Sequence, residues 1–314
     1  MSSPADKGVR ANNPNSLEVP GSRLRHLLAT GETHLVASSY DALTARICES
    51  MGFEIHHLTG FGAAAALTGG PDIGLVTMTE MVDSCRRICS AVSGPVIADG
   101  DTGYGGVLNV VRTVQAFEGA GAAGVHIEDQ VTPKRCGHMV GKELITPLEM
   151  SAKIQAAVDG RHNDDFVIIA RTDARAVEGL DAAISRANLY KEAGADVLFV
   201  EAPETLGEIE AIAERLPGPI LYNWAYQGRS PHVKLDTLKG LGFSLVLFAD
   251  VALVVHKALS RFFGQLQMAN DLDELSAELT PFDSFNEFVG LSSWRDLENQ
   301  FGTDDLSTAP IGGQ

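Results

Sequence analysis

Eight short β-rich runs recur along the chain: HLVAS from residue 34, EIHHLTG from 54, PVIADGD from 95, AGVHIED from 123, FVIIART from 166, DVLFVEA from 196, PILYNW from 219 and FSLVLF from 243. Between them lie segments with apolar residues at i, i+3 and i+4, such as MTEMVDSCRRICSAV, VLNVVRTVQAFEGAG, PLEMSAKIQAAV, LDAAISRANLYKEAG and LGEIEAIAERL, several with glycine near the end. Near-continuous apolar strands separated by helices predict a parallel sheet covered on both faces, and eight such units close into an α/β fold of the (β/α)8 TIM-barrel type. A doubly wound open sheet is the rival. Its dinucleotide-binding form is disfavoured because no G-x-G-x-x-G follows the first strand.

The chain has 314 residues, a length that a prior of about 150 residues per domain would split in two, although α/β barrels often run as one unit. Residues 1–20, MSSPADKGVRANNPNSLEVP, are rich in Pro, Asn and Ser without an apolar period and predict a mobile arm. A helix is expected over 21–30, the barrel over 21–270, and a docked helical extension with a loose end over 271–314. The apolar stretch 243–263 contains Asp250, His256, Lys257 and Arg261, and reads as a buried strand followed by a helix rather than a membrane span.

The formal charge is −17, from 24 Lys+Arg against 41 Asp+Glu, which repels a polyanion and excludes nucleic acid as a partner. An acidic chain that handles small anions needs a local reversal of sign, by a bound cation or a focused Arg/Lys pocket. Four cysteines, and no secretory n-region or h-region at the start, point to free thiols and a cytoplasmic protein.

In a barrel of this type the active site forms at the C-terminal ends of the strands. The third run ends in Asp99-Gly100-Asp101 followed by TGYGG, and strand residues i and i+2 face the same way, so the two acids are expected to converge. The fourth ends in His126-Ile127-Glu128-Asp129, again placing acids at the mouth. A lone D-x-D also serves as capping or solvated surface. Acids on two adjacent strand ends, the net charge and the glycine-rich tail favour a hard divalent ion, Mg²⁺ with Mn²⁺ as the alternative. Arg171, Glu201 and Asn223 close the next three runs; Arg171 offers a fork to a carboxylate or oxyanion, or neutralises Asp173 or Glu201. In the loop VTPKRCGHMVG, residues 131–141, Cys136 lies among Lys134, Arg135 and His138, cations expected to lower its pKa, while Gly137 and Gly141 provide the hinges of a lid. Cys48, Cys85 and Cys89 have helical spacing and read as packing groups.

K-[KR]-C-G-H is the signature of the isocitrate lyase and phosphoenolpyruvate mutase superfamily, which the chain resembles from about residue 30 to 270. The further landmarks are SSYDALTAR at 38, TGFGAAAALTGGPDIGLVTMTEM at 59, ADGDTGYGG at 98, HIEDQVTPKRCGH at 126, ARTDAR at 170 and VEAP at 200. The resemblance implies a barrel enzyme with Mg²⁺, built into homodimers or homotetramers through an exchanged C-terminal helix. It implies Asp99, Asp101 and Glu128 as the magnesium cluster with Asp72 in the outer water shell, and Thr59, Gly60 and Phe61 on the substrate's C1 carboxylate. Lys134, Arg135 and Gly137 fall on the substrate side of the loop, Arg171 on the substrate oxygen, and Glu201 and Asn223 at the rim. Cys136, with His138 beside it, is implied as the acid/base of the gating loop. His57 stands where many relatives have Tyr, and is expected to enter the site as a base.

The implied chemistry is carbon–carbon cleavage of a di- or tricarboxylate. Loss of the 2-hydroxyl proton breaks C2–C3 and gives a 2-oxo acid such as pyruvate plus a carboxylic acid. The string Asn223-Trp224-Ala225-Tyr226 and the absence of an arginine from FADVALVVHKAL leave a third carboxylate without an anchor. A dicarboxylate with alkyl substituents, 2,3-dimethylmalate ahead of a methylisocitrate-like acid, is therefore expected. Oxaloacetate hydrolase or decarboxylase activity is the alternative, and a non-catalytic barrel scaffold the remote one.

Overall fold

The computed structural model describes residues 19–301. Most of the expected N-terminal arm, residues 1–18, and the last stretch of the expected tail lie outside the described residues.

Each of the eight runs contains one strand: β1 (His34–Ser39), β2 (His56–Leu58), β3 (Val96–Asp99), β4 (Gly124–Glu128), β5 (Val167–Thr172), β6 (Val197–Val200), β7 (Ile220–Asn223) and β8 (Leu245–Phe248). They pair in parallel in sequence order and β1 closes on β8, giving a (β/α)8 TIM barrel. The helices form where their start signals stand. Thr77 with Glu80 makes a capping box for Met78–Ala91, and Thr146 caps Pro147–Gly160, which has proline in its first turn.

A period of two decides what each strand residue sees. Val36, Ile97, Val167, Ile169, Val197, Phe199, Leu221, Leu245 and Leu247 pack together inside the barrel, joined by Leu24 of the helix Pro20–Ala29. Their neighbours Leu58, Val96, Ala98, Val125, Ile127, Ile168, Ala170, Leu198, Tyr222 and Val246 form the outer layer with the helices. The inward set, continued to the C-terminal ends, places Ser38, His57, Asp99, His126, Glu128, Arg171, Glu201 and Asn223 on the inner side of the mouth.

The same parity turns Asp129 outward, away from the mouth where the string HIED had placed it. Its carboxylate accepts hydrogen bonds from Tyr190 OH at 2.8 Å, Thr172 Oγ1 at 2.7 Å and the Asp173 N–H at 2.9 Å, with Arg186 Nη1 at 3.4 Å. Arg186 also donates to Ile145 O, just past the 131–141 loop, and both Nε and Nη2 reach Glu178. This buried network fixes the end of β5 against the helix Leu180–Glu192. Tyr190→Phe is expected to cost about 1–3 kcal/mol in urea unfolding, because it leaves the buried Asp129 short of one donor.

Of the described residues, 19–255 form one compact unit, and those from His256 onward belong to a second. The helix Val251–Met268 runs across that division; a 3-10 turn Leu272–Glu278 and the helices Phe282–Phe288 and Leu291–Phe301 follow it. Within the second unit Arg261 pairs with Glu278. Among the described residues no helix is long and apolar enough to cross a membrane.

Candidate active site

A cavity of about 200 Å³ opens at the C-terminal ends of the strands. Of the residues picked from sequence, His57, Thr59, Phe61, Asp72, Asp99, Cys136, Gly137, His138, Arg171, Glu201 and Asn223 line it. Gly60, Asp101, Glu128 and Lys134 lie behind that lining, in contact with it. Arg135 does not join them: the residue is exposed.

The acid cluster is assembled by a turn rather than by strand alternation. β3 ends at Asp99, whose Oδ1 accepts the Asp101 N–H at 3.0 Å, and Asp101 sits at φ 46°, in the left-handed region that aspartate tolerates better than most residues. Asp99 Oδ2 accepts the Gly60 N–H at 3.1 Å; a Cβ on Gly60 would stand 2.5 Å from that oxygen, so only glycine fits. Lys134 Nζ bridges the acids, 2.6 Å from Asp72 Oδ1 and 2.8 Å from Asp101 Oδ1. Burial raises the Asp101 carboxyl to about 6, with Lys134 working against the rise and Asp99 reinforcing it. Burial also pushes Glu128 well up despite Arg171 beside it. Asp99 stays below the usual range because His126, Lys134 and Arg171 outweigh its burial.

Whether these residues suit a divalent cation is a matter of unmet demand. Among the described residues no three His, Cys, Asp or Glu side chains converge closely enough to enclose an ion. Yet among the described residues the buried Glu128 Oε1 has no hydrogen-bond donor, Asp101 Oδ1 has the Lys134 ammonium alone, and acids crowded in a buried site repel unless further positive charge lies among them. Mg²⁺ keeps several waters and is commonly held by one or two carboxylates, so a sparse acid set suits it. Asp99, Asp101 and Glu128 fit such an ion, with Asp72 and Lys134 adjusting the charge around it.

Arg171 is nine-tenths buried. Its Nε and Nη2 donate to Asp173 at 3.0 and 3.2 Å, its Nη1 is 3.3 Å from Glu128 Oε2, and its Nη2 is 3.5 Å from Glu201 Oε2. The guanidinium also lies 5.2 Å from the Phe199 ring centroid. Neutralising acids and facing the cavity are thus both true of it.

The loop carrying Cys136 is held over the mouth at several points. Gln130 clamps the Arg135 backbone, accepting its N–H at 2.9 Å and donating to its carbonyl at 2.8 Å. The Cys136 N–H donates to Asp72 O at 3.1 Å. Lys142 donates to Gly137 O and lies 3.3 Å from Asp173 Oδ1. His138 accepts the Arg229 N–H at Nδ1, 3.1 Å, and its Nε2 is 3.4 Å from Glu201 Oε1. A Cβ on Gly137 would fall 2.5 Å from Glu201 Cγ and closer still to Arg171 Nη2. Gly137→Ala is therefore expected to lower kcat/KM by about 100-fold, the scale set by displacing a catalytic group by an ångström, with the unfolding midpoint little changed.

The expected lowering of the Cys136 pKa is reversed: burial pushes the thiol up to about 11. The cations named for the task are elsewhere, Lys134 spent on Asp72 and Asp101 and Arg135 in solvent, while Asp72 and Glu201 add to the rise. The group that faces the cavity is a protonated thiol.

His57 also differs from its expected role. Its Nδ1 is 2.9 Å from Ser38 Oγ and its Nε2 3.0 Å from His126 Nε2, with the two imidazoles stacked at 5.2 Å. Both nitrogens are engaged, and burial, with His126 beside it, pushes the ring down to about 3, so it forms the cavity floor rather than an available base. Trp224 points outward and packs against the outer layer, while Ala225 and Tyr226 line the cavity. The identity of residue 224 therefore does not itself shape the substrate space. Sequence reasoning had not assigned Ser38 and His126 to the site, although the inward parity of their strands marks them. Lys142, Gln130 and Asp250 were also missed, and no local pattern singles them out.

A family model described as phosphoenolpyruvate phosphomutase matches residues 24–266. The 2,3-dimethylmalate lyase of Eubacterium barkeri is 42% identical over 282 residues, covering 90% of this chain and 98% of that protein. A 2-methylisocitrate lyase of Aeropyrum pernix is 45% identical over 235 residues, covering 74% of each. The solved structure of oxaloacetate acetylhydrolase with the inhibitor 3,3-difluorooxalacetate superposes with a TM-score of 0.84 at 34% identity, covering 90% of this chain and 97% of that one. With the acid cluster, Arg171 and the Cys136 loop meeting at one barrel mouth, the chain belongs to the phosphoenolpyruvate mutase/isocitrate lyase superfamily of enzymes.

Proposed function

We propose that this protein is a cytoplasmic, Mg²⁺-dependent carbon–carbon lyase that cleaves a substituted 2-hydroxy dicarboxylate, 2,3-dimethylmalate or a near relative, to pyruvate or a similar 2-oxo acid plus a carboxylic acid. The observation that carries this reading is the protonated Cys136 thiol facing the same cavity as Asp99 and Arg171, with Phe61, Ala225, Leu247, Ala249 and Leu253 as an apolar wall. A hydrolase or decarboxylase of oxaloacetate has no need of an apolar wall for C3 substituents.

A divalent cation held by Asp99, Asp101 and Glu128 supplies Lewis acidity toward an α-oxygenated acid. The start of the helix Gly60–Thr68, with Thr59 and Phe61 on the cavity, receives the C1 carboxylate at its positive end. Arg171 places a guanidinium where negative charge gathers on the 2-oxygen as its proton leaves. When C2–C3 breaks, its electron pair stays with the departing carboxylic acid as an enolate, and Cys136 Sγ hands its proton to that carbon. The thiolate is then reprotonated from solvent, which balances the 2-hydroxyl proton released to solvent and returns Cys136 to its neutral form. Glu201, Asn223 and His138 hold the loop closed while this happens, and the loop excludes water that would quench the enolate from the wrong side.

Assembly through an exchanged C-terminal helix remains part of the proposal. It is supported by the exposed apolar residues Phe282, Trp294 and Phe301 on the last helices.

The test is a panel of 2-hydroxy dicarboxylates, tricarboxylates and oxaloacetate with Mg²⁺, read by release of 2-oxo acid. The expected result is pyruvate and propionate from 2,3-dimethylmalate, lost on chelation and restored by Mg²⁺ or Mn²⁺. Oxalate and acetate from oxaloacetate, with none of the hydroxy acids cleaved, would replace the lyase reading by a hydrolase.

A further inference from the structure

Asp250 lies two residues past the end of β8 and stands immediately before the helix Val251–Met268. An acid in that position ordinarily accepts an N–H from the first turn of its own helix. Here its Oδ2 instead accepts the Tyr226 N–H from the loop after β7, at 2.5 Å, and the residue lines the cavity beside Ala225, Ala249 and Leu253. Among the described residues no Lys or Arg pairs with it, and His138 is the titratable neighbour that favours its charged form. Among the described residues lining the cavity the one Lys or Arg is Arg171, which is committed to Asp173, Glu128 and Glu201. The carboxyl is close enough to Glu201 and His138 for their fields to reach it, and burial raises its pKa.

The wall that receives the C3 end of a substrate therefore consists of apolar groups and one carboxylate. An alkyl substituent meets Ala225, Ala249 and Leu253 there at no electrostatic cost. A third carboxylate would enter a half-buried space already holding a like charge, with no guanidinium or ammonium to pair with it. We propose that Asp250 is a specificity-determining residue, a charge filter that rejects tricarboxylates and admits dicarboxylates with alkyl substituents at C3. This rests on the lyase reading above and sharpens its substrate class.

Two variants separate the filter from a merely structural tether. Asp250→Asn keeps an oxygen to accept the Tyr226 N–H and removes the charge, whereas Asp250→Glu keeps the charge. The readout is the ratio of kcat/KM for 2,3-dimethylmalate to that for 2-methylisocitrate. Asp250→Asn is expected to lower that ratio at least tenfold and Asp250→Glu to leave it high. A ratio unchanged in Asp250→Asn overturns the filter. Calorimetric binding of the two acids to a Cys136→Ser background reads the same discrimination without turnover. Equal affinity of the Asp250-containing protein for both acids likewise overturns the filter. Selective binding of the dicarboxylate by a wild-type protein that releases no 2-oxo acid instead supports the filter and removes the lyase reading.

Discussion

Cys136→Ser is expected to lower kcat by about 10²–10⁴-fold, the usual worth of a positioned general acid, with a much smaller change in KM and an unfolding midpoint close to that of the parent. The thiol faces the cavity as a neutral donor because burial raises its pKa to about 11, so it keeps its proton throughout the neutral range. Serine keeps the size of the side chain and the Cys136 N–H contact to Asp72 O, but its hydroxyl is a far weaker acid. Steady-state kinetics on the cleaved acid, with calorimetric unfolding alongside, measures both halves of the expectation. A variant that turns over at the parent rate removes Cys136 from the chemistry.

Arg171→Ala is expected to abolish turnover and to reduce stability by about 3–5 kcal/mol, the cost of stranding buried partners of an ion pair. The three acids around it, Glu128, Asp173 and Glu201, are all within 1% of fully buried, and what remains beside them is Lys142, 3.3 Å from Asp173, His138, 3.4 Å from Glu201, and the field of Lys134 on Glu128. The loss has a sign with pH. Without the guanidinium the Glu128 carboxyl, already raised by burial, rises further above its unfolded value, and Asp173 loses the neighbour that most opposes its own burial. Such groups favour the fold below the unfolded carboxylate pKa and lose that contribution as pH rises through the folded one. The variant should therefore be less impaired near pH 5 than near pH 8 in urea titrations. A deficit that does not depend on pH would mean that the acids are satisfied by something other than Arg171.

The strands were legible because period-two apolar runs and their helical spacers are strong local signals, and eight of them leave few ways to close a sheet. The same parity, carried past the end of each run, locates His57, Asp99, Glu128, Arg171, Glu201 and Asn223 on one inner rim. It would also have located Ser38 and His126, and turned Asp129 and Trp224 outward. What the sequence could not carry was set by tertiary pairing. Lys134 reads as a partner for the thiol when only neighbours in the chain are visible, but it spends its charge on Asp72 and Asp101, residues far away in sequence. The local cations around Cys136 therefore predicted a lowered pKa where burial enforces a raised one. Asp101 shows the same limit in the backbone: the D-x-D spacing suggested two strand positions, and a left-handed turn brings the second acid round instead. Asp250 looks like an ordinary helix cap in one dimension, and becomes a cavity residue only because the loop after β7 folds across to offer the Tyr226 N–H.

The central claim, that a divalent ion among Asp99, Asp101 and Glu128 presents an α-oxygenated acid to the Cys136 thiol, is tested most directly by a crystal structure of the protein soaked with Mg²⁺ and oxalate. The account predicts an octahedral ion beside those three acids, oxalate chelating it within the cavity, and the Cys136 Sγ facing the bound anion. Oxalate bound without a metal, or an ion held elsewhere with these carboxylates left to Lys134 alone, would contradict it.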